Sequence, residues 1–117
     1  MRYLCIVHID PAIFSGLSEA EHRELSRACM AYDQELMRSG HLIAAEALDA
    51  PRTAMIVRVR GDKTAVTDGP YVETKEHLGG FLFIEARDLN EAVEIAAKCP
   101  MSQMGCIEVR PQMTNRP

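Results

Sequence analysis

Three stretches of this 117-residue chain carry side chains fit for proton or ion chemistry. The first is Asp68-Gly69-Pro70. One reading is purely structural: Asp bonds its own backbone, Gly takes a positive φ and Pro sets the next turn. The other is that the turn aims the Asp68 carboxyl at a cleft, where a shifted pKa suits a general acid or base. The second stretch, Glu73-Thr74-Lys75-Glu76, is either a solvated loop or a set of ligand contacts carried on a rigid sheet, with Lys75 holding an anionic group. The third is Cys106-Ile107-Glu108-Val109-Arg110, whose alternation puts Ile107 and Val109 on one side of a strand and Cys106, Glu108 and Arg110 on the other. Charges entering an apolar cleft are costly unless paired. Glu108 is therefore expected to pair with Arg110 or Arg58, with His8 closing the group. The plainer alternative is a rim salt bridge that only fixes a subunit contact.

His8 and Asp68 are the candidate catalytic residues. Tyr32, Tyr71, Glu73, Lys75, Glu108 and Arg110 are the candidate ligand contacts. Tyr32 sits on an apolar helical stripe, so packing is its plainer role, and its hydroxyl needs a partner if buried. The cysteines, at 5, 29, 99 and 106, form no C-x-x-C pair, and the four histidines show no i,i+4 or H-x-H spacing. A metal centre is not expected, and the thiols read as buried and reduced. With no flavin or nucleotide motif either, any chemistry is expected to be cofactor-free.

These residues must be positioned by one small domain spanning 1–117. An apolar fraction of 47% and a charged fraction of 26% are globular values. Thirteen Lys and Arg against 17 Asp and Glu leave a formal charge of −4, which argues against a nucleic-acid partner. Apolar runs are too short for a membrane span. The N-terminus does not read as a signal peptide, so the expected location is cytoplasmic.

Residues 2–9 are nearly all apolar, as in a strand covered on both faces. Asp10 to Gly16 reads as a loop. Ser18-Glu19-Ala20-Glu21 is a capping box, and the helix it opens runs to about Ser39, with Leu25, Ala28, Cys29, Tyr32 and Leu36 on one face and Gly40 as its stop. Strands follow at 41–48, 53–60 and 64–67, the last two joined by a Gly61-Asp62 turn. Residues 71–79 read as an ordered loop and 80–86 as a strong strand. Asp88 and Glu91 cap a second helix with a Leu89, Ala92, Val93, Ala96 stripe, closed by Pro100. Residues 105–110 form the last strand, followed by a polar tail.

The order β-α-β-hairpin-β-α-β predicts an α+β, ferredoxin-like split βαβ plan with an inserted β-hairpin. Its two helices cover one sheet face only. Strands 2–9 and 80–86 are apolar on both faces, so the other face is expected to meet a second copy in a homodimer.

Two blocks carry a family resemblance. Val66-Thr67-Asp68-Gly69-Pro70-Tyr71-Val72-Glu73-Thr74-Lys75-Glu76-His77-Leu78-Gly79-Gly80-Phe81 resembles the signature of the DGPF, or YCII-related, family, with Tyr71 where the motif has Phe. Ala97-Lys98-Cys99-Pro100 and Gly105-Cys106-Ile107-Glu108-Val109-Arg110-Pro111 resemble its closing block, and Glu46-Ala47-Leu48 its E-x-L. The resemblance implies a dimeric α/β-barrel, two ferredoxin-like protomers joined sheet to sheet, in the bacterial cytoplasm. It implies a small-molecule ligand and cofactor-free acid/base chemistry of a lyase or dehalogenase kind. The alternative it offers is a regulatory module, such as an accessory to an extracytoplasmic-function sigma factor. The better-known branch is similar to a His–Asp enzyme with its His on the first helix. Here that stretch reads Cys29-Met30-Ala31-Tyr32, with His22 farther upstream, so that His is not carried over.

Overall fold

The computed structural model describes residues 1–114; the end of the polar tail lies outside them. Strand β1 (Arg2–Ile9) leads into a short helix α1 (Pro11–Ser15) and the long helix α2 (Glu19–Arg38). Strands β2 (Leu42–Ala47), β3 (Met55–Arg60), β4 (Lys63–Asp68) and β5 (His77–Glu85) follow, then helix α3 (Leu89–Ala97) and strand β6 (Gly105–Pro111). The segment 10–16, read as a loop, contains α1. Asp10 accepts from the Ala12 amide at 3.0 Å and Pro11 opens the first turn, a position where proline's missing N–H does no harm.

The capping box of α2 is present: Glu21 N–H donates to Ser18 Oγ at 3.1 Å and Ser18 N–H to Glu21 Oε1 at 2.9 Å. Gly40, with φ of +80°, ends the helix where a side chain would be strained. Strand β5 starts three residues before the expected 80, because His77 and Leu78 already pair with Ile9 and His8.

The main sheet has the order β2-β5-β1-β6 with every pair antiparallel. That order, with helices crossing one face, is the ferredoxin-like plan expected. Tyr3, Cys5 and Val7 from β1, Leu82 and Ile84 from β5, Leu36 from α2 and Ala92, Ile95 and Ala96 from α3 make the core. Ile107 and Val109 pack against it, as their alternation predicted. The stripe of α3 is turned from the expected one: Ile95 is buried, while Leu89 and Val93 are about half exposed. Hydrophobic burial at ~25 cal/mol per Å² of apolar surface is what seats both helices on this face.

The register places Leu4 and Ile6 of β1 and Phe81 and Phe83 of β5 on the opposite face, over which no helix passes. Strands β3 and β4 form a separate two-stranded ribbon that joins neither side of the sheet. The chain is correspondingly thin and wide, 47 × 44 × 19 Å, with a Cα radius of gyration of 16.3 Å. A compact chain of 117 residues has about 13 Å.

Candidate functional site

Helix α2 crosses the sheet without filling the space beneath it. A cavity of about 400 Å³ remains between the helix and strands β1, β2 and β5. Val7, Ile9, Leu25, Ala45 and Leu82 give it apolar walls. Gly80 thins the floor: a methyl there would sit 2.7 Å from the Glu46 carbonyl oxygen, so β5 can pass this close to β2 only as glycine. The α2 stripe that seals the core elsewhere brings His22, Cys29, Tyr32 and Asp33 to the cavity wall.

These four differ in state. Tyr32 Oη donates to the Ile95 carbonyl at 2.6 Å, tying α2 to α3, and burial above all pushes its phenol up. The Cys29 thiol is pushed up to about 11, first by burial and then by the charges of Cys99 and Asp33. His22 packs edge-on against the Phe14 ring, 4.9 Å between centroids. Asp33 is partly buried, and burial pushes its carboxyl up from the ordinary carboxylate value. His22 and Asp33 stand eleven positions apart, about 16 Å of helix rise. They therefore face opposite ends of the cavity and form no dyad.

A second group lies where β1 ends and β6 begins. It borders an open cleft of about 740 Å³ lined by His8, Asp10, Lys75, Glu76, Cys106 and Glu108 among others. His8 and Glu108 are diagonal neighbours across β1 and β6. His8 Nε2 stands 3.0 Å from Glu108 Oε1, and Arg110 Nε is 3.8 Å from Glu108 Oε2. The sequence thus brought His8, Glu108 and Arg110 together, with Arg110 rather than Arg58 as the nearby cation. Lys75 Nζ is 3.7 Å from Asp10 Oδ2, an exposed ammonium beside a buried carboxylate.

Other expected site residues lie apart. Asp68 ends β4, exposed, and among the described residues its carboxylate has no hydrogen bond or ion pair. The expectation that neighbouring amides hold it is not met. The turn serves the ribbon's base instead: Gly69 N–H donates to the Ala54 carbonyl at 2.8 Å, and a methyl on Gly69 would lie 2.8 Å from the Ala54 Cβ. Its φ is not positive, and the Gly69–Pro70 bond is cis. Tyr71 is exposed with the Arg58 guanidinium 5.9 Å from its ring centroid, so Arg58 is engaged there. Glu73 is exposed as well. Of the four thiols, Cys5 and Cys99 are buried, Cys29 is half-buried and Cys106 is exposed, so burial of all four does not hold.

Sequence reasoning passed over His22, Cys29 and Asp33. The available signal was a histidine and an acid interrupting the apolar stripe of α2. Among the described residues no three His, Cys, Asp or Glu side chains come together as a metal-binding group, and no helix is long and apolar enough to cross a membrane.

Comparison with known proteins agrees with this architecture. The chain is similar to a 5-chloro-2-hydroxyhydroquinone dehydrochlorinase from Burkholderia phenoliruptrix AC1100, solved in complex with 2,5-dihydroxybenzoquinone. The TM-score is 0.55 at 15% identity, covering 98% of this chain and 96% of that one, a likeness of fold. It is 30% identical over 119 residues to an uncharacterised protein of Rhizobium meliloti (strain 1021), covering 100% of this chain and 96% of the relative. The family model for the YCII-related domain matches residues 1–114, and the chain belongs to that family.

Proposed function

We propose that this protein binds a small, flat, largely apolar molecule bearing hydroxyl or carbonyl groups in the cavity under α2, and that Asp33 exchanges a proton with it. The observation that carries the reading is a mostly apolar cavity of about 400 Å³ whose wall holds a carboxyl raised by burial. Ligand sites are commonly apolar hollows with a few convergent polar groups, and a carboxyl shifted toward neutral pH suits a general acid or base. The reaction class it supports is cofactor-free elimination: a carboxylate takes a proton from the ligand while an anion departs. The structural neighbour's name, a dehydrochlorinase, fits that class, in which a proton and chloride leave together. His22, at the far end, is placed to hold a polar substituent.

The protein acts as a homodimer in this reading, joined through the sheet face that no helix crosses, where Leu4, Phe81 and Phe83 are partly exposed around a buried Ile6. His8, Glu108 and Arg110 then lie at the rim of the joint, where the Lys75 ammonium and the Arg110 guanidinium offer positive charge to an anionic group entering between protomers.

A panel of phenols, quinones and chlorinated hydroquinols tests the site by thermal shift and chloride release. A binder at a hundredfold excess over its Kd stabilises the fold by about 2.7 kcal/mol. Asp33→Asn should keep that stabilisation and lose at least a hundredfold in turnover, the contribution usual for a general acid or base. Stabilisation without turnover in the unaltered protein would make it a binding module. Turnover untouched by Asp33→Asn, or no stabilising compound in the panel, would refute the reading.

A further inference from the structure

The β3–β4 ribbon has two unlike faces. Met55, Val57 and Val59 of β3 share one with Val66 of β4, which pairs directly with Val57. Their exposures are 58%, 62%, 55% and 55%. The other face carries Arg58, Arg60 and Lys63. Every residue of β4 is exposed, and every residue of β3 except Ile56. Lone two-stranded ribbons are marginal in water, and four contiguous apolar side chains on one face give this ribbon a reason to be covered.

The surface area says how much is missing. The chain exposes 8406 Å². A compact protein of 13.0 kDa exposes about 6,300 Å². The excess of roughly 2,000 Å² per chain is what a large, stable dimer buries on each side, against about 800 Å² for a standard interface.

We propose that the ribbon is an arm that packs its Met55, Val57, Val59 and Val66 face onto a second copy of this chain. The proposal rests on the homodimer reading and adds a second contact to it. The occupant is a second copy because the excess area matches what a large dimer buries, and the sheet face that no helix crosses, where Leu4, Phe81 and Phe83 are partly exposed and Ile6 is buried, is a second apolar surface that two-fold symmetry covers at the same time. The register puts Asp68 opposite Met55 on the arm's apolar face, so a docked arm carries that carboxylate into the contact. The basic face, with Arg58, Arg60 and Lys63, stays toward solvent.

Light scattering across a dilution series compares the unaltered protein with the double variant Val57→Asp, Val66→Asp. The unaltered protein should run at twice 13.0 kDa. The variant should dissociate at a concentration at least a hundredfold higher, with unchanged far-ultraviolet circular dichroism. A monomeric unaltered protein would overturn both the dimer and the arm. A dimer equally tight in the variant would overturn the arm alone. Should the variant fail to fold, hydrogen exchange on the unaltered protein decides. Amides of residues 55–68 should slow when concentration rises through the dissociation constant, and exchange indifferent to concentration would overturn the arm.

Discussion

Replacing Tyr32 by Phe separates the two roles open to that residue. Its hydroxyl donates at 2.6 Å to the Ile95 carbonyl, the only side-chain hydrogen bond between α2 and α3 among the described residues. The Ile95 carbonyl also accepts the Lys98 N–H at 3.2 Å, so the substitution removes one of its two bonds and leaves it paired. Losing that one bond costs about 0.5–1.5 kcal/mol. For a chain of this length the melting entropy makes that about 2–6 °C in Tm. Differential scanning calorimetry reads the shift, and titration with a stabilising phenol reads affinity on the same samples. Tm should fall while affinity changes less than threefold, because the hydroxyl is a strut between helices. An unchanged Tm with a tenfold loss of affinity would refute it, showing that the hydroxyl points to the ligand instead.

Gly80→Ala should destabilise by about 1–3 kcal/mol, since the new methyl meets the Glu46 carbonyl oxygen at 2.7 Å; a Tm within 1 °C of the parent would contradict the close approach of β2 and β5. At pH 8 the Cys29 thiolate should be about a hundredfold scarcer than for a thiol at 9.0, because its pKa is pushed up to about 11; rapid alkylation of Cys29 in the native state would contradict that burial. Asp33 holds its proton more tightly folded than unfolded. The stability it adds is thus full below the unfolded pKa and is lost as pH rises through the higher folded one. Asp33→Asn should remove that component from a Tm-against-pH profile, and identical profiles would count against a raised Asp33.

Local chemistry made much of the fold legible. The capping box and Gly40 bound α2 because each acts within a turn of the residue that supplies it. The alternation in β6 set which side chains face the core, and from that followed the meeting of His8 with Glu108. What was missed depends on neighbours distant in sequence. Asp10-Pro11 reads as a breaker in isolation, yet the same pair starts a helix once Asp10 caps it. The α3 stripe turned toward Ile95 because packing against β6 and α2, rather than its own periodicity, decided the buried face. Asp68 seemed placed by its turn, whereas the register of a free-standing ribbon put it in solvent. The cavity was invisible because its floor is a close approach of Gly80 in β5 to Glu46 in β2, a contact between positions distant in sequence.

The claim that the cavity under α2 is the ligand site is tested most directly by amide chemical shifts. A titration of labelled protein with 2,5-dihydroxybenzoquinone should move amides from His22 to Asp33 and those of Gly79 to Leu82, which face each other across the cavity. Shifts confined to His8, Lys75, Cys106 and Glu108 would place binding in the open cleft and contradict the account.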